Sequence, residues 1–132
     1  MSQTGNPSSL RAVLHFAAPQ LFVTDMQRSC DFFTQRLGFA VVFVYGEPPF
    51  YGQVGRDGVR LNLRHVDAPL MDQALREREE YLSAAIRVDD VQRLYAEFLA
   101  SGVPFHQHLK RQTWGATTFI IRDPDGNLLL FL

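Results

Sequence analysis

Four histidines, one cysteine and a few turn aspartates are the groups through which this chain could hold a metal ion or do chemistry. His106 and His108 stand two apart in PFHQHL. On a strand that spacing puts both on one face, where they could chelate a divalent ion; an exposed strand pair is the plainer reading and the preferred one. His15 precedes the first strand and His65 ends the fourth, both as expected surface residues. Cys30 falls in the apolar stripe of a helix and reads as core rather than as a nucleophile. Asp57, Asp123 and Asp125 belong to turns. No Ser/His/Asp spacing and no phosphate-cradling glycine loop stands out.

Two similar halves would have to position these groups. In the first, APQLFVTD reads as a short strand, and Thr24 and Asp25 offer N-caps for the helix MQRSCDFFTQRL. Met26, Cys30, Phe33 and Leu37 follow helical spacing and form one buried stripe, with Gly38 as a C-terminal stop. FAVVFVY is a strand, and FYGQVG and VRLNLRHV form a hairpin around Arg56-Asp57-Gly58. The second half repeats this order. YLSAAIRV is a strand, Asp89 and Asp90 are caps, and VQRLYAEFLAS is a helix with Val91, Leu94, Tyr95, Phe98 and Leu99 expected to be buried. Gly102 stops it, PFHQHL is a strand, and TTFIIR and NLLLFL pair across Asp123-Pro124-Asp125-Gly126.

Residue identities support a duplication. Val23, Asp25, Gln27 and Arg28 each precede an identical residue, Val88, Asp90, Gln92 and Arg93, by 65 positions. With one gap allowed Gly38 matches Gly102, and Gly58 matches Gly126 before the last strand of each half. The expected organisation is a flexible tail over 1–14, a first module over 15–66, a charged linker over 67–80 and a second module over 81–132. The linker, DAPLMDQALREREE, is expected to carry one short exposed helix whose charges are solvated.

Composition limits the function classes. At 132 residues the chain fits one domain, and 46% apolar with 20% charged residues is globular. Lys and Arg number 13 against 14 Asp and Glu, so no basic excess exists to neutralise phosphates, and a nucleic-acid partner is not expected. One cysteine forms no intrachain disulfide and suits a reducing compartment. MSQTGNPSSL has no apolar signal core, and no apolar run reaches the length of a membrane span. The expectation is a cytoplasmic protein without a membrane partner.

VTDMQRSCDFFTQRLGF, VQRLYAEFLASGV and WGATTFIIRDPDGNLLLFL together resemble the glyoxalase/bleomycin-resistance/dioxygenase (vicinal oxygen chelate) superfamily, over Ala18 to Leu132. The look is nearest to its bleomycin-resistance-like members. The resemblance implies an α+β fold of two βαβββ modules, each a curved four-stranded sheet with its helix on the convex side. It also implies a homodimer whose concave faces enclose a ligand. Fold alone licenses no reaction. Metal-dependent members take His, Glu or Gln ligands from the first and last strand of each module. Carried onto this sequence, those four corners are Ala18, Asn62, Ser83 and Leu130. Ala18 and Leu130 have no donor atom, Ser83 is a poor ligand and Asn62 offers one neutral oxygen, against the three or so strong ligands of a catalytic site. No metal, cofactor or catalytic residue is therefore expected.

Strand alternation from those corners aims Gln20 and Phe22, Arg60 and Arg64, Ala85 and Arg87, and Leu128 and Leu132 into the two cups. Leu21, Val23, Leu61, Leu63, Ile86, Val88, Leu129 and Phe131 should pack under the helices. Phe43, Tyr45, Phe50, Tyr51, Trp114 and Phe119 cluster around the cups. The candidate ligand contacts are thus Phe22, Arg60, Asn62, Arg64, Arg87 and Leu130 with these six aromatics, Trp114 foremost. Inward arginines favour an anionic ligand over a cationic antibiotic, with Glu47 the nearby acid. The function expected is non-catalytic sequestration of a drug or metabolite in a cleft between two copies. The alternatives are a metal-dependent glyoxalase-like lyase or extradiol-type dioxygenase with ligands relocated to His106, His108, His65 or Glu47, and a regulatory dimer whose cup is filled by its own side chains.

Overall fold

In a computed structural model, which describes residues 10–132, the chain folds into two βαβββ modules joined by a short helix. The first contains β1 (Gln20–Val23), α1 (Met26–Gln35), β2 (Ala40–Tyr45), β3 (Tyr51–Arg56) and β4 (Val59–His65). After α2 (Gln73–Glu79) come β5 (Leu82–Ile86), α3 (Val91–Ala100), β6 (Phe105–Arg111), β7 (Thr117–Arg122) and β8 (Leu128–Phe131). The two sheets have equivalent strand orders, β1-β4-β3-β2 and β5-β8-β7-β6, with the first strand of each parallel to the last. The expected tail falls mostly on residues 1–9, outside the described residues; Arg11 to Pro19 run without regular structure.

Local sequence accounts for the helices. Asp25 and Asp90 cap α1 and α3, each accepting from the backbone N–H three residues on, at 3.0 Å. Thr24 and Asp89 do not cap. Met26, Cys30, Phe33 and Leu37 are buried as their spacing predicts, and Gly38 and Gly102 both stop their helices at φ +72°. The α3 stripe is narrower than expected. Leu94 and Phe98 are buried, but Leu99 is exposed, because its position one residue beyond Phe98 turns it off the packed face.

Under the helices the expected alternation holds. Leu21, Val23, Leu61 and Leu63 from one sheet and Ile86, Leu129 and Phe131 from the other join Phe33 and Phe98 in one continuous core. The halves are also tied by polar contacts. Arg56 forks onto Glu97 at 2.7 and 3.0 Å, a pairing that raises the Arg56 pKa. Asp125 Oδ1 accepts from Thr24 N and Oγ1 at 3.0 and 2.6 Å and from Arg28 Nη2 at 3.2 Å.

Candidate functional site

Register assembles the first cup in rows. Phe22, Arg64, Tyr51 and Tyr45 lie side by side across β1, β4, β3 and β2; the next row is Gln20, Asn62, Gln53 and Phe43. A bulge between Val41 and Phe43 is what brings Phe43 and Tyr45 to the concave face. Hydrogen bonds tie the second row to itself and to the first. Gln53 Nε2 donates to Asn62 Oδ1 at 2.9 Å, and Tyr51 Oη donates to Gln20 Oε1 at 3.1 Å. Phe43 tilts against Tyr51 with centroids 5.8 Å apart, and Tyr45 meets Phe50 edge-on at 5.5 Å. Every residue of β2 is exposed, as are Phe22, Arg64 and Phe50. This cup is open, with apolar walls and a band of neutral amides.

The second cup differs. Its matching row is Ala85, Leu130, Ile120 and Gln107. Thr118 is fully buried and lies with Gln107 and Gln112, whose Nε2 donates to Thr118 Oγ1 at 2.9 Å and to Gln107 Oε1 at 3.1 Å. One end of the cup is roofed. Glu77 of α2 accepts from Arg122 Nε and Nη2, both at 2.9 Å, and Gln73 Nε2 donates to the Gly126 carbonyl at 3.0 Å. Under this lid Leu128 has no exposed surface, and Ile120 has 2%. The Arg122 fork, with help from Gln73, holds the Glu77 carboxyl down to about 2. The linker charges expected to be solvated are therefore partly docked: α2 forms as its sequence predicts, but Glu77 is spent on the sheet.

The roof also explains the histidines. Phe105 pairs with Ile121 and Gln107 with Ile120, so a bulge places His106 beside Gln107 on the concave side. There His106 Nε2 lies 3.1 Å from Glu80 Oε2, and Nδ1 lies 3.6 Å from Glu77 Oε1. His108 faces the helix, with Nδ1 2.8 Å from Tyr95 Oη and its ring stacked on Phe105. The expected shared face is corrected: the extra residue in β6 reverses the alternation, and the two imidazoles point opposite ways.

The expected site residues separate into groups. Phe22, Phe43, Tyr45, Tyr51, Asn62 and Arg64 meet in the first cup, with Phe50 at its rim. Leu130 lines the second cup. Trp114 lies in the β6–β7 turn, 65% exposed. Phe119 is misplaced by the sequence reading. It shares the helix-facing parity of Ile121, is fully buried, and packs on Tyr95, Phe98, Phe105 and Phe131. Arg60 folds over Gly55, where a Cβ would come within 2.6 Å of its guanidinium, and donates to the carbonyls of Asp57 and Val59. Arg87 borders a cleft between the modules. Of the three arginines aimed inward by alternation, Arg64 is the one set among the first cup's aromatics. Gln53, Gln107, Gln112 and the α2 lid were not singled out from sequence; the neighbours of Asn62 and Leu130 across the sheet would have pointed to Gln53 and Ile120, but the lid depends on tertiary docking.

The four expected corner residues have their own partners or no donor atoms. Asn62 Oδ1 already accepts from Gln53, the Ser83 hydroxyl donates to Asn127 Oδ1 at 3.3 Å, and Ala18 and Leu130 carry no donor. Among the described residues no three His, Cys, Asp or Glu side chains converge on a possible metal position. Cys30 is buried in the core, and that burial raises its thiol pKa. None of the helices formed by the described residues is long and apolar enough to cross a membrane.

A sequence model of the Glyoxalase/Bleomycin resistance protein/Dioxygenase superfamily matches residues 12–131. No curated protein matches the sequence. Solved structures with the same fold include a bleomycin-binding protein complexed with bleomycin, 24% identical with a TM-score of 0.71, over 89% of this chain and 97% of that one. A bleomycin resistance determinant encoded on the transposon Tn5 is 23% identical with a TM-score of 0.72, over 89% and 96%. A glyoxalase-related enzyme from Clostridium phytofermentans is 17% identical with a TM-score of 0.71, over 91% and 95%. At these identities the likeness establishes the fold, and binders and enzymes both share it.

Proposed function

The chain belongs to the Glyoxalase/Bleomycin resistance protein/Dioxygenase superfamily, and from that membership we propose that it is a non-catalytic small-molecule-binding protein that sequesters a drug or metabolite in its cups. The observation that carries this reading is the pairing of an open, aromatic-walled first cup with corner residues unsuited to a cation. A ligand in that cup would meet the rings of Phe22, Phe43, Tyr45 and Tyr51 and the amides of Gln20, Gln53 and Asn62, an apolar lining with a few placed polar groups. Arg64 supplies the one cation in those two rows and favours a carboxylate or another anionic group.

A second copy of the chain is the proposed cover. Val42, Phe43, Tyr45 and Phe50 leave 39–66% of their surface exposed, and β2 is an unpaired edge. Contiguous apolar exposure of that kind is characteristic of an association surface. Titration calorimetry with bleomycin and with a planar aromatic carboxylate, alongside sedimentation equilibrium, tests the reading. A dimer that takes up the carboxylate in preference to bleomycin is expected. A monomer that binds neither would overturn the proposal, and tight bleomycin binding would overturn the charge argument.

A further inference from the structure

The two modules dock through equivalent hairpins, but only the β7–β8 turn engages the opposite module's first strand and helix start through its own aspartate and asparagine. In the β7–β8 turn, Asp125 Oδ1 takes the Thr24 N–H at 3.0 Å and the Arg28 guanidinium at 3.2 Å, while Asn127 Nδ2 donates to the Phe22 carbonyl at 3.1 Å. These partners recur 65 positions on: Thr24 corresponds to Asp89, Arg28 to Arg93 and Phe22 to Arg87. The residues that should engage them lie in the β3–β4 turn, 68 positions before Asp125 and Asn127, and are Asp57 and Val59. Asp57 does not reach. It adopts φ +51°, its side chain is 91% exposed, and its nearest cation is Arg56 Nε at 3.9 Å. Val59 has nothing to donate.

The Asp89 N–H, the Arg93 guanidinium and the Arg87 carbonyl consequently have no hydrogen-bond partner among the described residues. All three residues border a cleft of about 530 Å³ on the side of the molecule away from the cups, floored by Val59, Ile86, Leu94 and Phe98. That volume lies within the range of small-ligand sites. Two donors and one acceptor at the mouth of an apolar cleft define a head group that accepts at one end and donates at the other. Of the other charges lining the cleft, Glu97 is forked by Arg56 and Asp90 caps α3, while the exposed Asp57 carboxylate and the Arg87 guanidinium add one charge of each sign at its edge. The exposed Asp89 carboxylate disfavours a purely anionic head and favours one that also carries a cation.

We propose that this cleft is a second small-molecule site, separate from the cups, for a free α-amino acid with an apolar side chain. Its carboxylate meets Arg93 and the Asp89 N–H as Asp125 meets Arg28 and the Thr24 N–H, its ammonium meets the Arg87 carbonyl as the Asn127 amide meets that of Phe22, and its side chain lies on Leu94 and Phe98. The proposal does not depend on what the cups bind.

The test is amide chemical-shift mapping on ¹⁵N-labelled full-length protein titrated with L-phenylalanine, 3-phenylpropanoate and phenethylamine. L-Phenylalanine should perturb Asp89, Arg93 and Val59 and leave Gln20 and Asn62 unmoved, with each one-headed analogue binding more weakly by about tenfold or more. Arg93→Gln should weaken L-phenylalanine by about tenfold. Val59→Asn, which supplies the missing donor to the Arg87 carbonyl, should weaken it too, and its own spectrum reports whether the fold is kept. Perturbations confined to the cups, equal binding of 3-phenylpropanoate, indifference to both substitutions, or no response at millimolar ligand would each overturn the proposal.

Discussion

The central row of the first cup reads Gln20, Asn62, Gln53 and Phe43, and the matching row of the second reads Ala85, Leu130, Ile120 and Gln107. Two modules of equivalent strand order thus carry their polar band in different places. In the first module amides span the middle of the sheet, and no helix among the described residues roofs them as α2 roofs the second. In the second the middle is aliphatic, the polar groups have retreated to Gln107, Gln112 and Thr118, and α2 closes one end over Leu128. The difference shows how a repeat escapes redundancy. The buried parity of each strand is bound to the shared core and stays apolar, while the cup parity is free to diverge.

The comparison can be broken at its most buried point. Phe119, placed among cup aromatics by sequence, is a core residue of the second module. Phe119→Ala should cost about 3–5 kcal/mol in denaturant unfolding, whereas Trp114→Ala, in an exposed turn, should stay within about 0.5 kcal/mol. A small loss for the first or a large loss for the second would reverse their assignment.

The lid offers a smaller effect. Glu77→Ala leaves the Arg122 fork empty and frees α2. Because the pair is partly solvated, with side-chain exposures of 34% and 27% for Arg122 and Glu77, the stability loss should be about 1 kcal/mol. The sharper readout is hydrogen exchange, which should accelerate across 73–79 and β8 but not in β1–β4. Equal acceleration in both modules would deny that the lid belongs to the second cup.

Asn62→Leu copies the second cup's residue into the first. With the Gln53 amide left to solvent, stability should change by no more than about 1 kcal/mol, while the affinity of a cup ligand should fall about tenfold. Retention of full affinity would show that the amide band takes no part in binding.

A pH dependence is also expected at the junction turn. Asp123 is buried, and that burial pushes its carboxyl up to about 6 despite hydrogen bonds from Asn127. A carboxyl raised in the folded state holds its proton more tightly there than when unfolded, so it stabilises the fold at low pH. That stabilisation is lost as pH rises through about 6. Glu77 acts in the opposite sense: its stabilisation is present at neutral pH and is lost as pH falls toward about 2. Thermal unfolding between pH 4 and 7 should therefore show a decline with rising pH that Asp123→Asn removes.

How much of this could be read from residues follows the same divide. The module order, the capping aspartates and the buried parity were legible because caps, glycine stops and alternation are local. The errors of side-chain direction, Arg87 at the inter-module cleft among them, fell in the second module. In β6 an inserted residue reversed the parity of His108 relative to His106, and Phe119 was grouped with the cup aromatics by composition, although its place beside Ile121 on β7 would have excluded it. The docking of Glu77 on Arg122 joins residues 45 apart and leaves no periodic trace, so a charged linker reads as solvated. The junction beside Arg93 joins a turn and a helix start brought together only by the tertiary fold, so it too leaves no local trace.

The account depends most on the corner residues Ala18, Asn62, Ser83 and Leu130 not gripping a cation. Elemental analysis of untagged protein, paired with cup-ligand titrations before and after chelator dialysis, addresses that directly. The expected result is no stoichiometric zinc, iron, nickel or manganese, and ligand binding that the chelator leaves unchanged. One equivalent of any of these metals, removed together with ligand binding, would contradict the account and return the protein to the metal-dependent side of its superfamily.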